Sequence, residues 1–207
     1  MKSQRSIGIV LFPGFELLDV FGPLEMFGMA PDNFEIHMVA EEAGVVKSRQ
    51  GPKSVVEHGF DDHPRFDLLL VPGGPGTRTE VDNDRLLHWL RDQSNIAEYT
   101  LSVCTGSALL AKAGILDGLR ATTNKRAFEW ATAQNNNVTW VKEARWVEDK
   151  NVFTSSGISA GMDMSLAVIG KLLGEDTAEQ IATWAEYEWH RDASWDPFAK
   201  KYGLTMQ

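Results

Sequence analysis

A single cysteine, Cys104, stands in Ser102-Val103-Cys104-Thr105-Gly106-Ser107, where an apolar run gives way to a stretch of small residues. Isolated cysteines are most often small buried hydrophobes, and that reading is open here. The other reading is chemical. A sharp strand-to-helix turn lifts its middle side chain above a sheet, and small neighbours let the backbone double back. The helix start that follows favours a thiolate, so such a cysteine is expected to ionise more easily and attack electrophilic carbon.

Two other segments offer partners for it. Val71-Pro72-Gly73-Gly74-Pro75-Gly76 follows the preceding apolar run. It is either an ordinary glycine turn or a pair of bare backbone donors, at Gly73 and Gly74, aimed at charge developing beside the sulfur. No Lys-Ser/Thr pair and no G-x-G-x-x-G spacing marks it as a phosphate loop. In Phe12-Pro13-Gly14-Phe15-Glu16-Leu17-Leu18-Asp19-Val20-Phe21-Gly22-Pro23, Glu16 and Asp19 share a face on a helical turn. Asp19 sits among apolar neighbours, where a carboxyl is costly unless paired or protonated. It is a helix cap or structural hydrogen-bond acceptor, or a protonated acid that donates to a thiolate.

These residues need a scaffold. Ile7–Phe12, Phe34–Val39, Asp67–Pro72 and Tyr99–Cys104 are short, nearly continuous apolar runs, the pattern of parallel strands buried on both faces. Cys104 then falls at the carboxyl end of a strand, where open α/β sheets bind ligands. Residues 83–91 carry apolar side chains at helical spacing, with Asp82 as N-cap, and Val45–Val46 and Val55–Val56 suggest a hairpin. A short helix is expected from Ser107 to Lys112, stopped by Gly114, followed by β-prone Ala121–Thr123 and a helix over Lys125–Gln134. Val138–Val141, Ala144–Val147 and Val152–Thr154 read as strands. Ala160–Leu173 is apolar almost all round and reads as a buried helix, and Thr177–Arg191 as an amphipathic one with Asp176 near its start. Alternating strands and helices predict an α/β fold, a mostly parallel sheet with helices on both faces, as one domain over residues 1–207.

Composition narrows the classes. A chain of 207 residues buries about 70% of its unfolded surface as one unit. With 20 basic and 29 acidic side chains and a formal charge of −9, it lacks the basic footprint of a nonspecific nucleic-acid or anionic-membrane binder. One thiol makes no internal disulfide, which fits a cytoplasmic protein. Lys2 and Arg5 precede the apolar residues 7–12, but Pro13, Glu16 and Asp19 follow where a signal cleavage site would stand. No apolar stretch approaches the roughly 18 residues of a membrane span. His37, His58, His63, His88 and His190 fall in no metal-ligand spacing and read as surface or packing residues, so no metal is expected. The aromatic series Trp184, Tyr187, Trp189, Trp195 and Phe198 reads as core or dimer contact before it reads as a pocket wall.

FPGFELLDVFGP, VPGGPG, SVCTGSALLAKAGILDG, RATTN and SSGISAGMD together resemble the ThiJ/PfpI superfamily, from Ile7 to about Phe198. The resemblance implies a class I glutamine amidotransferase-like, flavodoxin-like three-layer sandwich. Within it, LLDVFGP with SVCTGS is most similar to the isocyanide (isonitrile) hydratase branch, which uses an aspartate and a Cys-Thr pair where many relatives use a glutamate. The resemblance maps the nucleophile to Cys104, its acid/base partner to Asp19, the adjacent threonine to Thr105 and the backbone donors to Gly73 and Gly74. It implies hydration of an isocyanide to an N-substituted formamide through a covalent thioimidate, without organic cofactor, on a small-molecule substrate, in a homodimer.

One departure stands out. Relatives commonly carry His after the ATT segment, whereas this chain has Asn124. A Cys-His pair of the protease or amidotransferase kind therefore lacks its base. Glyoxalase or deglycase chemistry on reactive carbonyls, and a non-enzymatic redox sensor oxidised at Cys104, are the competing expectations. Related domains also occur in AraC-type regulators. This sequence ends at Gln207 without room for a helix-turn-helix pair, so DNA binding is expected only through another protein.

Overall fold

The computed structural model describes residues 4–62 and 64–205; Lys2 and His63 lie outside them. Strand β1 (Arg5–Val10) is followed by α1 (Leu17–Gly28), β2 (Phe34–Ala40), the antiparallel hairpin β3 (Gly44–Lys47) and β4 (Lys53–Val56), and the short β5 (His58–Gly59). Next come β6 (Leu68–Val71), α2 (Thr77–Glu80), α3 (Asp84–Ile96), β7 (Tyr99–Ser102), α4 (Gly106–Lys112) and β8 (Arg120–Ala121). The chain finishes with α5 (Phe128–Thr132), β9 (Thr139–Trp140), β10 (Trp146–Asp149), β11 (Val152–Ser155), α6 (Ala160–Leu173), α7 (Glu175–Trp184) and α8 (Pro197–Lys201).

Seven strands form one sheet in the order β10-β11-β7-β6-β1-β2-β5, parallel throughout except for the antiparallel β10–β11 pair. Helices cover both faces, with α6 packed on α1 and α7, and α4 packed on α2 and α3. This is why the central strands show no alternation. Leu68, Leu69, Leu70 and Val71 in β6 are all fully buried, as are Ile7, Ile9 and Leu101 on the strands beside it. Burying each such side chain contributes about 1.5–3 kcal/mol, so β1, β6 and β7 form a stiff platform whose carboxyl ends open on one rim.

Three expected elements differ. Asn83, not Asp82, caps α3, its side chain accepting from Leu86 N–H at 3.2 Å. The last long helix ends at Trp184 instead of Arg191, because Asp163 in α6 draws the following chain inward. It accepts from the Tyr187 hydroxyl at 3.0 Å and from His190 N–H at 2.9 Å, and its carbonyl accepts from the Trp189 indole at 3.2 Å. The same buried carboxylate pairs with Arg145 at 2.6 Å. The helix over 125–134 contracts to α5, since Asn124 accepts from Ala127 N–H and Lys125 turns inward to Thr122 Oγ1 and the Ala144 carbonyl.

Candidate active site

Cys104 occupies the turn between β7 and α4 with φ = 58°, a left-handed conformation that a non-glycine residue adopts only at about 1–3 kcal/mol. Its N–H donates to the Ser156 carbonyl at 3.2 Å, tying the turn to the end of β11. Cys104 lines a cavity of about 600 Å³ together with Arg78, Asn124, Trp130 and Tyr202.

Asp19, in the first turn of α1, is completely buried. Its Oδ2 accepts from Gly73 N–H at 2.9 Å, Oδ1 makes no hydrogen bond, and the carboxyl is coupled to the Cys104 thiol. Only glycine fits at position 73: a Cβ there would lie 2.5 Å from Thr105 N and 3.0 Å from Asp19 Oδ2. The VPGGPG turn is thus more than a chain reversal, because it is the wall against which acid and elbow are pressed together.

Burial pushes the Asp19 carboxyl well above the usual carboxylate range, against the pull of Gly73 N–H, with the charge of Glu16 adding to the rise. Burial also pushes the Cys104 thiol up, and the Asp19 charge adds to it; the Thr105 N–H and the Asn124 side chain act in the opposite direction. The expected lowering of the thiol by the helix start is therefore outweighed. Each group resists ionising, and most strongly beside an ionised partner, so the pair is most at ease with at least one proton between them.

Both glycine donors are already engaged. Gly73 N–H holds Asp19, and Gly74 N–H donates to Thr105 Oγ1 at 3.0 Å, which also accepts from Thr77 Oγ1 at 3.2 Å. In this structure the two N–H groups point to protein acceptors, on Asp19 and Thr105.

Cysteine elbow, buried acid and glycine turn thus converge from the ends of β7, β1 and β6. The DJ-1/PfpI family matches residues 5–171. The chain belongs to that family. Among DJ-1/PfpI relatives, the isonitrile hydratase of Pseudomonas putida is 37% identical over 184 residues, covering 87% of this chain and 78% of the relative. The HTH-type transcriptional regulator GbdR of Pseudomonas aeruginosa is 29% identical over 193 residues, and the chain spans about half of it, 52%. The crystal structure of a ThiJ/PfpI family protein from Pseudomonas syringae matches with a TM-score of 0.82 at 30% identity, over 90% of this chain and 76% of that one. The flavodoxin-like architecture expected from the sequence is the one found.

Asn124 presents its side-chain amide to the Cys104 sulfur and favours the thiolate. The sequence marked it only as a departure. Arg78 and Trp130 were not foreseen at the site at all. Arg78 follows the glycine turn in the one-turn helix α2, and its guanidinium lies 3.8 Å from the centre of the Trp130 ring. The aromatic series does not line this cavity. Tyr187 and Trp189 pack on the core, whereas Trp184, Trp195 and Phe198 are exposed, and the tail reaches the cavity through Tyr202 and Leu204.

None of the described histidines lines the cavity. His37 and His58, brought side by side by β2 and β5, nevertheless place their ring nitrogens with a Glu57 oxygen within 4.8 Å of one another, a grouping that sequence spacing did not reveal. Among the described residues no helix is long and apolar enough to cross a membrane.

Proposed function

We propose that this protein hydrates an isocyanide to an N-substituted formamide, with Cys104 as nucleophile and Asp19 as acid/base partner. The reading is carried by the buried Asp19 carboxyl coupled to the thiol of Cys104, which lines the cavity. The 37% identity to an isonitrile hydratase supports the choice of substrate.

In the first step the Cys104 sulfur attacks the terminal isocyanide carbon as the shared proton is delivered to that carbon. The S–H bond is replaced by S–C and C–H bonds, giving a thioimidate R–N=CH–S. Asp19, left as carboxylate, then takes a proton from water as the oxygen adds to the same carbon. Transfer of that proton to nitrogen and expulsion of the sulfur release R–NH–CHO, and the sulfur regains the proton of the added hydroxyl. No net oxidation occurs and no electron acceptor is required. Asn124 and the Thr105 N–H stabilise negative charge on sulfur at the start and end of this cycle. Thr105 holds the glycine turn through its hydroxyl.

The deciding assay is conversion of an aryl isocyanide to the formamide by purified protein. Cys104-dependent turnover is expected; absence of product, or full activity of Cys104→Ala, overturns the reading.

A further inference from the structure

The mouth of the cavity is charged against the sign of the whole molecule. The chain carries 20 basic and 29 acidic side chains, yet Arg49, Arg78, Lys125 and Arg126 line this cavity with only Glu16 and Glu129. Lys125 is turned away, its Nζ held by Thr122 Oγ1 at 2.7 Å and the Ala144 carbonyl at 2.6 Å. Glu16 is engaged by the Gln50 amide. Three arginines and the exposed Glu129 remain, an excess of positive charge, and none of the arginines has an acidic partner among the described residues.

Arg78 is the best defined. Its guanidinium stacks on Trp130, and one nitrogen, Nη1, donates to Thr77 Oγ1 at 3.1 Å. Thr77 Oγ1 in turn contacts Thr105 Oγ1, so two hydrogen bonds link the cation to the residue after the nucleophile. A guanidinium offers five N–H donors in a planar fork, and most of these have no protein acceptor here. Desolvation and the like charge of Arg126 both press on Arg78, whereas negative charge on Cys104 favours it. An anion between the two arginines would relieve that pressure.

We infer that the cavity takes a substrate bearing an anionic group, most simply a carboxylate, seated on Arg78 with its reactive carbon at Cys104 and its apolar body against Trp130. This deepens the hydratase reading by naming an isocyanide that carries a carboxylate, and it rests on that reading for the reaction but not for the anion site.

Cys104 is the chain's only cysteine, so its alkylation can be followed without ambiguity. The rate with iodoacetate is divided by the rate with neutral iodoacetamide and compared with the same ratio for glutathione. A cleft with an excess of one sign of charge concentrates counter-ions, by about tenfold. The protein's ratio is therefore expected to exceed that of glutathione about tenfold despite a net charge of −9, and to fall in Arg78→Gln and in high salt. Arg126→Gln, changing an exposed side chain, gives a smaller fall and serves if Arg78→Gln does not fold. A ratio at or below that of glutathione, unchanged in both variants, overturns the inference.

A second arm compares an isocyanobenzoate with its methyl ester. Preference for the acid, lost in Arg78→Gln mainly through KM, supports the whole proposal. Turnover of neither compound with the alkylation preference intact removes the hydratase reading and leaves the anion site. Equal turnover of both compounds with no alkylation preference removes the anion site and leaves the hydratase reading.

Discussion

Gly157 → Ala is a small change aimed at one contact. A Cβ built at Gly157 would lie 2.0 Å from Asn124 Nδ2 and 3.1 Å from Cys104 Sγ. The backbone there is not left-handed, so alanine is allowed and the conflict is with side chains alone. The flexible partner, Asn124, must yield, and its hydrogen bond to the sulfur is lost. A hydrogen bond to a charged group contributes about 1.5–3 kcal/mol. At 1.36 kcal/mol per tenfold, kcat/KM is expected to drop by about 10- to 150-fold. The alkylation profile of Cys104 is expected to move to higher pH, since the Asn124 contact favours the thiolate. Overpacking costs about 1–3 kcal/mol, partly offset by about 0.4–1 kcal/mol from a less flexible unfolded chain, so the melting temperature should fall by several degrees at most. Measuring turnover, alkylation against pH and thermal unfolding on the same preparations separates chemistry from stability. Unchanged turnover with an unchanged alkylation profile would refute the role given to Asn124.

Two further outcomes follow from the buried ionisable groups. Asp19 → Asn keeps an acceptor for Gly73 N–H but removes an acid whose folded-state pKa is raised by burial, so turnover should be lost while stability at neutral pH rises by about 0.5–2 kcal/mol. Because a raised pKa favours folding at low pH and loses that contribution as pH rises, the gap in urea unfolding should narrow towards pH 4; a less stable variant at pH 7 would contradict this. Lys125, lowered by burial from 10.5 to about 8, makes the unfolded chain hold more protons between those values. Stability should therefore rise with pH across that window, by up to about 1.4 kcal/mol per unit, and Lys125 → Met should flatten the rise; equal slopes in both proteins would rule it out.

The platform was legible because consecutive apolar residues such as Leu68 to Val71 are what a strand buried on both faces requires. The elbow was legible for a similar reason, since small residues after an apolar run mark a tight reversal, here confirmed by the left-handed Cys104. The acid was half legible: Asp19 among apolar neighbours implied a special environment, but only the structure places it on Gly73 and beside the thiol. Contacts formed by folding had no local signal. Asn124 meets Cys104 from 20 residues away because Ala127 N–H and the inward turn of Lys125 fix its loop. The helix expected over 177–191 stops at Trp184 because periodicity cannot register the competing pull of Asp163. Arg78 and Trp130 carried no mark as neighbours before the chain brought them together.

The parallel sheet separates two sets of residues. Asp19, Gly73, Cys104 and Gly157 hang from the exits of β1, β6, β7 and β11, four neighbouring strands pointing the same way. Arg49, Arg126 and Tyr202 come instead from excursions beyond the sheet: the hairpin loop, the segment before α5 and the end of the chain. Side-chain substitutions at Arg49, Arg126 and Tyr202 change the cavity wall without replacing any residue at the strand exits. The wall that would choose a ligand and the centre that would act on it are thus set by different parts of the chain.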